Sequence, residues 1–300
     1  MTYEIMHSET PVAQIDTQGH CHIFSKKFMP YNLYLKETDD DPLNNLFNFY
    51  FLCANGTLPS KRQHKDVILK SLNPTSKESA QIALQCHCLS LTDVYWVRNS
   101  NKSITFQEIN LYDDHSENPL IDASLLGKQI TLQSLKGIEK DLSTDGCFPK
   151  AWLGNTLLKG GNPTAVRNEI LASKICQCFQ CNQVLYKEGK YKGELVSISN
   201  LFTSKEYSIV SKEAFDIYAV NHDIDPIKYI LSFFAYDYIE GVNCLTIPTQ
   251  MTQKEVATEA VKKIGLNQIS HINPNWFQHD QQKYEMFLKR LSILKEVIQQ

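Results

Sequence analysis

Residues that could act on a phosphate group are concentrated between positions 143 and 169. Ser143-Thr144-Asp145-Gly146 is predicted to form a turn, and a turn can present backbone N–H groups to phosphate oxygens. Gly146 would let the backbone approach a phosphate closely, because it carries no Cβ. Lys159 would add a positive charge near the phosphates, and Glu169 would hold that lysine through an ion pair. Together these residues predict a nucleotide phosphate site.

Two short strands and a helix are predicted to position this site. Lys150 to Leu153 and Thr156 to Lys159 are extended, apolar segments joined by Gly154-Asn155, a two-residue hairpin signal. After Asn162-Pro163 a helix is expected, with Glu169 near its start. Two more strands, Gln183 to Tyr186 and Glu194 to Ile198, are predicted around a turn at Gly189-Lys190. The expected arrangement is an antiparallel sheet on which the helix packs, with Lys159 pointing at the turn and within about 4 Å of Glu169.

The flanking regions predict an α+β fold overall. A hairpin of Val12 to Asp16 and Cys21 to Phe24 is followed by two helices. The first helix begins at Asp41-Pro42, with the Asp41 carboxylate as its cap, and ends at Asn55-Gly56, while the second covers Ser76 to Leu84. Helical spacing recurs later at Lys212 to Ala219, Pro226 to Tyr238, Thr252 to Ile264 and Gln278 to the end. We therefore divide the chain into an α+β subdomain (1–135), a nucleotide lobe (136–210) and a helical region (211–300).

Composition restricts the class of protein. The net charge of −3 argues against general nucleic-acid binding, and the basic cluster at Lys61 to Lys65 is interpreted as a solvated loop. Residues Met1 to Gln18 contain no apolar signal-peptide core, and no apolar run reaches the ~20 residues that cross a bilayer. We expect a cytoplasmic protein whose nine cysteines are reduced thiols. Only Cys178 and Cys181 have zinc-knuckle spacing, and a helix there favours buried thiols instead.

A simpler interpretation of the phosphate-site residues also exists. A β-hairpin with an exposed lysine, followed by a helix with an early glutamate, is a common arrangement. The helix dipole favours acidic residues near a helix start whether or not a ligand binds. Spacing alone therefore leaves Lys159 and Glu169 open between a nucleotide site and a solvated surface.

Three stretches of the chain resemble the HipA-like kinases of bacterial and mobile-element genomes. Tyr3 to His7, with Thr10 to Ala13 after it, is similar to the opening of that branch. Leu89-Ser90-Leu91-Thr92-Asp93-Val94-Tyr95-Trp96 is similar to its most recognisable motif. Residues 143–161, with Asn168 to Ser173, resemble its phosphate loop, nucleotide lysine and helix glutamate. The resemblance spans residues 3 to 235 and implies a two-lobed kinase fold, ATP as ligand, and Ser/Thr phosphorylation in toxin–antitoxin pairs.

The sequence departs from that family where catalysis would occur. The family's Asp-Arg-His-x-x-Asn loop and its metal-binding Asp turn are both missing after Tyr236-Asp237-Tyr238. Asp216 and Asn221 have the spacing of a catalytic loop, but they fall in a predicted helix too soon after the nucleotide lobe. We therefore assign no catalytic residue and no metal ligand. Asp216, Asn221 and Asp237 are expected to be separated or solvent-facing.

Three functions remain open at this point. The first is a pseudokinase that binds nucleotide and acts on an unidentified protein partner. The second is an antitoxin-like interaction module that binds no nucleotide. The third is an active Ser/Thr kinase with rearranged catalytic residues. The first is the hypothesis that the sequence favours.

Overall fold

A computed structural model describes residues 1–38, 40–72, 78–113, 117–132, 138–178, 183–224 and 271–299. Within these residues the fold is α+β, with two four-stranded antiparallel sheets and helices around them. None of the helices described there is long and apolar enough to cross a membrane.

The first sheet is built from the N-terminal residues and one later strand. Its strands are β1 (Thr2–His7), β2 (Thr10–Asp16), β3 (Cys21–Ile23) and β4 (Tyr95–Asn99), in the order β3-β2-β1-β4. The predicted β2–β3 hairpin is confirmed. Strand β1, which the alternation pattern did not single out, is central because it pairs with both β2 and β4.

Six of the described helices lie between β3 and residue 150 in sequence. They are α1 (Pro42–Asn55), α2 (Lys65–Leu72), α3 (Ser79–Gln85), α4 (Phe106–Ile109), α5 (Ile121–Leu126) and α6 (Glu139–Ser143). Both predicted ends of α1 are confirmed, but Asp41 makes no side-chain cap, because its carboxylate accepts from the Asn44 side chain instead. The face that α1 buries carries Phe49 and Cys53, whereas Phe47 is exposed.

The second sheet holds the predicted nucleotide lobe. Its strands are β5 (Lys150–Leu153), β6 (Thr156–Lys159), β7 (Lys187–Tyr191) and β8 (Glu194–Asn200), in the order β5-β6-β8-β7. Helix α7 (Pro163–Cys176) lies between β6 and β7 in sequence, and the Asn162 side chain caps it by accepting from the Ala165 amide at 2.8 Å. The hairpin β5–β6 and the start of α7 are confirmed.

The predicted strand at Gln183 to Tyr186 is wrong. Residues 183–186 are not a strand, and β7 begins at Lys187. The turn lies at Lys192-Gly193 and not at Gly189-Lys190, because Tyr191 pairs with Glu194. Lys192 and Gly193 both have positive φ (47° and 93°), as a tight two-residue hairpin turn requires. Lysine rarely adopts that conformation, so residue type gave no signal for it.

One hydrophobic core crosses the predicted boundary at residue 135. Leu89, Leu91, Val94 and Trp96, all from the motif at 89–96, pack with residues of β5 and β6. Trp152 of β5 and Leu157 of β6 belong to the same cluster and are 6% and 9% exposed. The motif therefore joins the first sheet to the second.

The described part of the C-terminal region is helical. Helix α8 (Lys212–Asn221) confirms one prediction, and α9 (Gln281–Gln299) agrees with another. The predicted helices Pro226 to Tyr238 and Thr252 to Ile264 lie outside the described residues. Helix α8 contacts the N-terminal part of the chain through the ring of Tyr218, whose centroid lies 4.7 Å from that of Tyr31.

Candidate functional site

Lys159 and Glu169 form an ion pair between β6 and α7. Lys159 Nζ lies 2.6 Å from Glu169 Oε1, which confirms the predicted distance. The other carboxylate oxygen, Oε2, accepts a hydrogen bond from Ser197 Oγ on β8. Glu169 is the seventh residue of a 14-residue helix rather than near its start, so the helix dipole does not account for it. The pair therefore links the helix to two strands of the sheet.

Tyr186 is a third member of this group that the sequence did not reveal. Its hydroxyl lies 2.6 Å from Lys159 Nζ, and the ammonium lies 4.5 Å from the centre of the ring. Its backbone N–H donates to Ser173 Oγ on α7 at 2.9 Å, which fixes the residue just before β7. The available signal, a tyrosine in a predicted strand, could not distinguish this role from ordinary sheet packing.

The environment keeps Lys159 protonated. Burial disfavours its charge, but the hydrogen bonds to Glu169 and Tyr186 and their electrostatic attraction outweigh burial and raise the pKa of Lys159. The Lys159 side chain is 19% exposed and that of Glu169 is 30% exposed. Lys159 is thus a partly exposed ammonium group that is fixed by two hydrogen bonds, which use two of its three N–H donors.

The predicted phosphate turn has a different beginning from the one expected. Ser143 is the last residue of α6, and its hydroxyl donates to Glu139 O at 3.0 Å. Thr144 Oγ1 donates to Lys140 O at 2.5 Å and accepts from Trp152 Nε1 at 2.7 Å. Both hydroxyls are used inside the fold, so neither is free for a ligand, and Asp145 is the exposed residue of the turn.

Lys150, and not Lys159, points at this turn. Lys150 Nζ donates to the carbonyl oxygen of Asp145. Gly146 has a φ of +101°, and a Cβ at this position would collide with Lys150 Nζ. The prediction that Lys159 faces the turn is wrong, because Lys159 is held by Glu169 and Tyr186 on the α7 side. The glycine therefore makes room for a lysine of the chain itself.

Arg62 binds both the turn and the segment that follows it. Its Nη1 donates to Phe148 O at 3.1 Å, and its Nη2 donates to Thr144 O. Arg62 is only 4% exposed, and its Nε has no hydrogen-bond partner among the described residues. The interpretation of this basic cluster as a solvated loop is therefore wrong for Arg62, which a charge pattern alone could not separate from its neighbours.

Arg62 and Lys150 are buried cations. Burial lowers the pKa of Arg62 to about 10. Burial, with repulsion from Arg62 and Lys159, lowers the pKa of Lys150 to about 8. The attraction of Asp145 and Glu169 opposes this shift but does not cancel it. Two buried cations thus lie directly against the carbonyl groups of the turn, and the carboxylates of Asp141 and Asp145 act on Arg62.

The alternative catalytic pair does not lie on a loop. Asp216 and Asn221 are both in α8, and Asn221 Nδ2 donates back to Ile217 O at 2.9 Å. Asp237 falls outside the described residues. Among the residues that are described, no group of three or more His, Cys, Asp or Glu side chains could hold a metal ion. Cys178 lies beyond α7, and Cys181 is outside the described part.

Comparisons with known proteins add no assignment to this geometry. No protein-family model, no curated protein and no solved structure matches the chain.

Proposed function

We propose that this chain is a HipA-like pseudokinase that binds a nucleotide such as ATP and acts through contacts with a protein partner. The observation that carries the proposal is the Lys159–Glu169 ion pair at 2.6 Å between a strand and the helix beside it. In phosphoryl-transfer enzymes of the protein-kinase type, a strand lysine paired with a helix glutamate positions the nucleotide phosphates.

The surroundings of the pair support this role over that of a solvated surface pair. Glu169 is fixed by Ser197, and Lys159 by Tyr186, so both charges are oriented by neighbouring elements. Exposed pairs rarely have such support and contribute little to stability. Lys159 also keeps one N–H donor that neither partner uses, which a phosphate oxygen could accept.

The absence of the catalytic motif argues for a pseudokinase over an active kinase. Transfer to a hydroxyl needs a carboxylate that orients the proton and ligands for the phosphate-bridging metal. The sequence contains no Asp-Arg-His-x-x-Asn loop, and Asp216 lies in a helix. The proposal includes a cytoplasmic location and no direct binding of nucleic acid or membrane.

A specific observation also favours the second candidate, an antitoxin-like interaction module without nucleotide. The cations Arg62 and Lys150 already bind two carbonyl groups of the turn and that of Phe148, so these groups are paired without a ligand. A ligand-free scaffold would be expected to look like this. Phe47, 69% exposed and stacked 6.3 Å from the Phe51 ring, offers apolar surface for a partner in either case.

Nucleotide titration separates the two candidates. We expect ATP or ADP to raise the melting temperature of the wild-type protein and to give a binding isotherm by calorimetry, with and without Mg²⁺. Lys159→Met should weaken binding roughly tenfold to a hundredfold, the scale of one charged hydrogen bond. Lys190→Met removes an exposed lysine on β7 of the same sheet and should leave the affinity unchanged. No binding by the wild-type protein would favour the interaction module.

Radiolabel transfer tests the third candidate. Incubation with γ-labelled ATP and a generic protein substrate should give no label above a heat-denatured control. Sustained transfer that Asp216→Ala abolishes would instead identify an active kinase with rearranged catalytic residues.

A further inference from the structure

The peptide groups of the turn have a defined direction. The carbonyl of Thr144 points at Arg62, and the carbonyl of Asp145 points at Lys150. The described part of the chain has no cis peptide bond. In a planar trans peptide the N–H points opposite to the C=O, so the N–H groups of Asp145 and Gly146 point away from the two cations. These two donors lie on the outer side of the turn.

The cations strengthen those outward donors. Each peptide group is a dipole with its positive end at the N–H. Arg62 and Lys150 lie at the negative ends of two successive peptide groups and are 4% and 8% exposed, so solvent screens them little. The outward N–H groups are therefore polarised by the buried cations behind them, which raises their strength as donors. Such an arrangement of successive N–H groups binds anions.

The Asp145 carboxylate already takes one of these donors. The N–H of Gly146 donates to Asp145 Oδ1 at 2.6 Å. The Asp145 side chain is otherwise exposed, and a carboxylate oxygen is an anionic acceptor like a phosphate oxygen. A phosphate that approaches the Gly146 amide must displace this carboxylate and would also be repelled by it.

We propose that Asp145 is a built-in competitor for the phosphate end of the ligand, so that Asp145 lowers the affinity of the turn for phosphate-bearing ligands. Arg62 is a positioning residue in this arrangement, because it touches the turn and not the ligand, and it keeps the donors of the turn directed outward. The inference rests on the proposed function, since it assumes that the turn receives the phosphates of a nucleotide.

Two substitutions at Asp145 test the competition. Asp145→Asn removes the charge but keeps an acceptor for the Gly146 amide, and Asp145→Ala removes both. We expect pyrophosphate and ADP to bind about tenfold more tightly to either variant than to the wild type, because a unit charge close to the ligand is removed. Glu188→Gln, which neutralises an exposed carboxylate on β7, should leave both affinities unchanged.

A measurement on the backbone of the turn adds evidence that does not depend on affinity. The amide resonance of Gly146 should shift on pyrophosphate addition, and by more in Asp145→Asn than in the wild type. Arg62→Ala should reduce that shift, since the turn loses the group that directs its donors. The circular dichroism of each variant should match that of the wild type, which shows that the sheet is retained.

The outcomes separate the inference from the proposed function. If ADP binds the wild type and neither Asp145 variant binds it more tightly, the competition is refuted while nucleotide binding stands. If the variants gain affinity for pyrophosphate but ADP binds no better than pyrophosphate, the competition stands and nucleotide recognition fails. If no variant binds either ligand, the inference is overturned.

Discussion

Lys150 and Lys159 are cross-strand partners on β5 and β6, yet their ammonium groups bind different partners. Lys159 reaches Glu169 and Tyr186 beside α7, whereas Lys150 reaches the carbonyl of Asp145 in the turn. Directly paired residues of an antiparallel ladder have Cα atoms about 5 Å apart, so two like charges lie close together. Burial lowers the pKa of Lys150, and repulsion from Arg62 and Lys159 adds to this shift. The pKa of Lys159 is instead raised, because its hydrogen bonds to Glu169 and Tyr186 outweigh burial.

The coupling between Lys159 and Glu169 can be measured directly. In a double-mutant cycle of Lys159→Met and Glu169→Gln, we expect an interaction energy of about 1–2 kcal/mol in the free energy of unfolding. The value should exceed that of an exposed pair because both groups are oriented by further hydrogen bonds. A parallel cycle on Lys205 and Asp113, whose side chains are 32% and 48% exposed, should give at most about 1 kcal/mol. Equal couplings would show that the site pair is an ordinary surface pair.

The lowered pKa of Lys150 predicts a pH dependence of stability. Unfolded lysine titrates near 10.5 and folded Lys150 at about 8, so between these values the unfolded state binds more protons. The free energy of unfolding therefore increases with pH in this window, by up to about 1.4 kcal/mol per pH unit. Below pH 8 Lys150 is protonated in both states, so its contribution to the free energy of unfolding does not change with pH.

Comparison with Lys150→Met separates the pH-dependent contribution of Lys150 from those of other groups that titrate at high pH. Lys150→Met has no such contribution, so the stability of the wild type relative to this variant should rise between pH 8 and 10 in urea melts. Tyr95 and Tyr112, whose pKa values burial raises to about 12, are present in both proteins and cancel. A constant difference across this range would contradict the burial of a charged Lys150.

Several elements of the fold could be predicted because their signals are local. Helix α1 has proline at its first position and Gly56 after its last, and α7 begins with the cap Asn162. The β5–β6 hairpin is indicated by Gly154-Asn155 between two short apolar runs. Each signal lies within a few residues, so no knowledge of the tertiary structure was needed.

The missed features depend on contacts between distant residues. Strand β1 is central because it pairs with β4, about 90 residues away, and no local pattern encodes that partner. Arg62 differs from the solvated Lys61 beside it only because residues 144 and 148 close over its guanidinium. At the candidate site, the Lys159–Glu169 pair could be predicted from helix and strand order, but the choice of which lysine fills the turn could not.

The shared core predicts that the two sheets unfold together. Trp152 packs in the cluster that includes Met6 and Trp96 of the first sheet. Trp152→Ala should therefore lower the free energy of unfolding by about 3–5 kcal/mol. Trp276, which is only half-buried in a short 3-10 helix, serves as a control, and its replacement by Ala should cost less.

Hydrogen exchange tests whether this loss reaches both sheets. In Trp152→Ala, amides of β1 and β4 should lose protection together with those of β5 and β6, since one core stabilises both. Loss confined to β5 and β6 would show two independent units and would favour a true domain boundary near residue 135.

Tyr186 provides a test in which stability and affinity should change in opposite directions. Its hydroxyl occupies one N–H donor of Lys159 at 2.6 Å, and its ring lies beside the ammonium at 4.5 Å. Tyr186→Phe keeps the ring and removes only the hydroxyl. We expect it to lower the free energy of unfolding by about 0.5–1.5 kcal/mol, the net contribution of one such hydrogen bond. The freed donor of Lys159 becomes available to a phosphate oxygen, so ADP should bind a few-fold more tightly.

Tyr207→Phe, which changes an exposed tyrosine, should alter neither the free energy of unfolding nor the affinity for ADP. If Tyr186→Phe weakens ADP binding instead, the hydroxyl assists binding, through the ligand or through the orientation of Lys159, and does not compete with the ligand for Lys159.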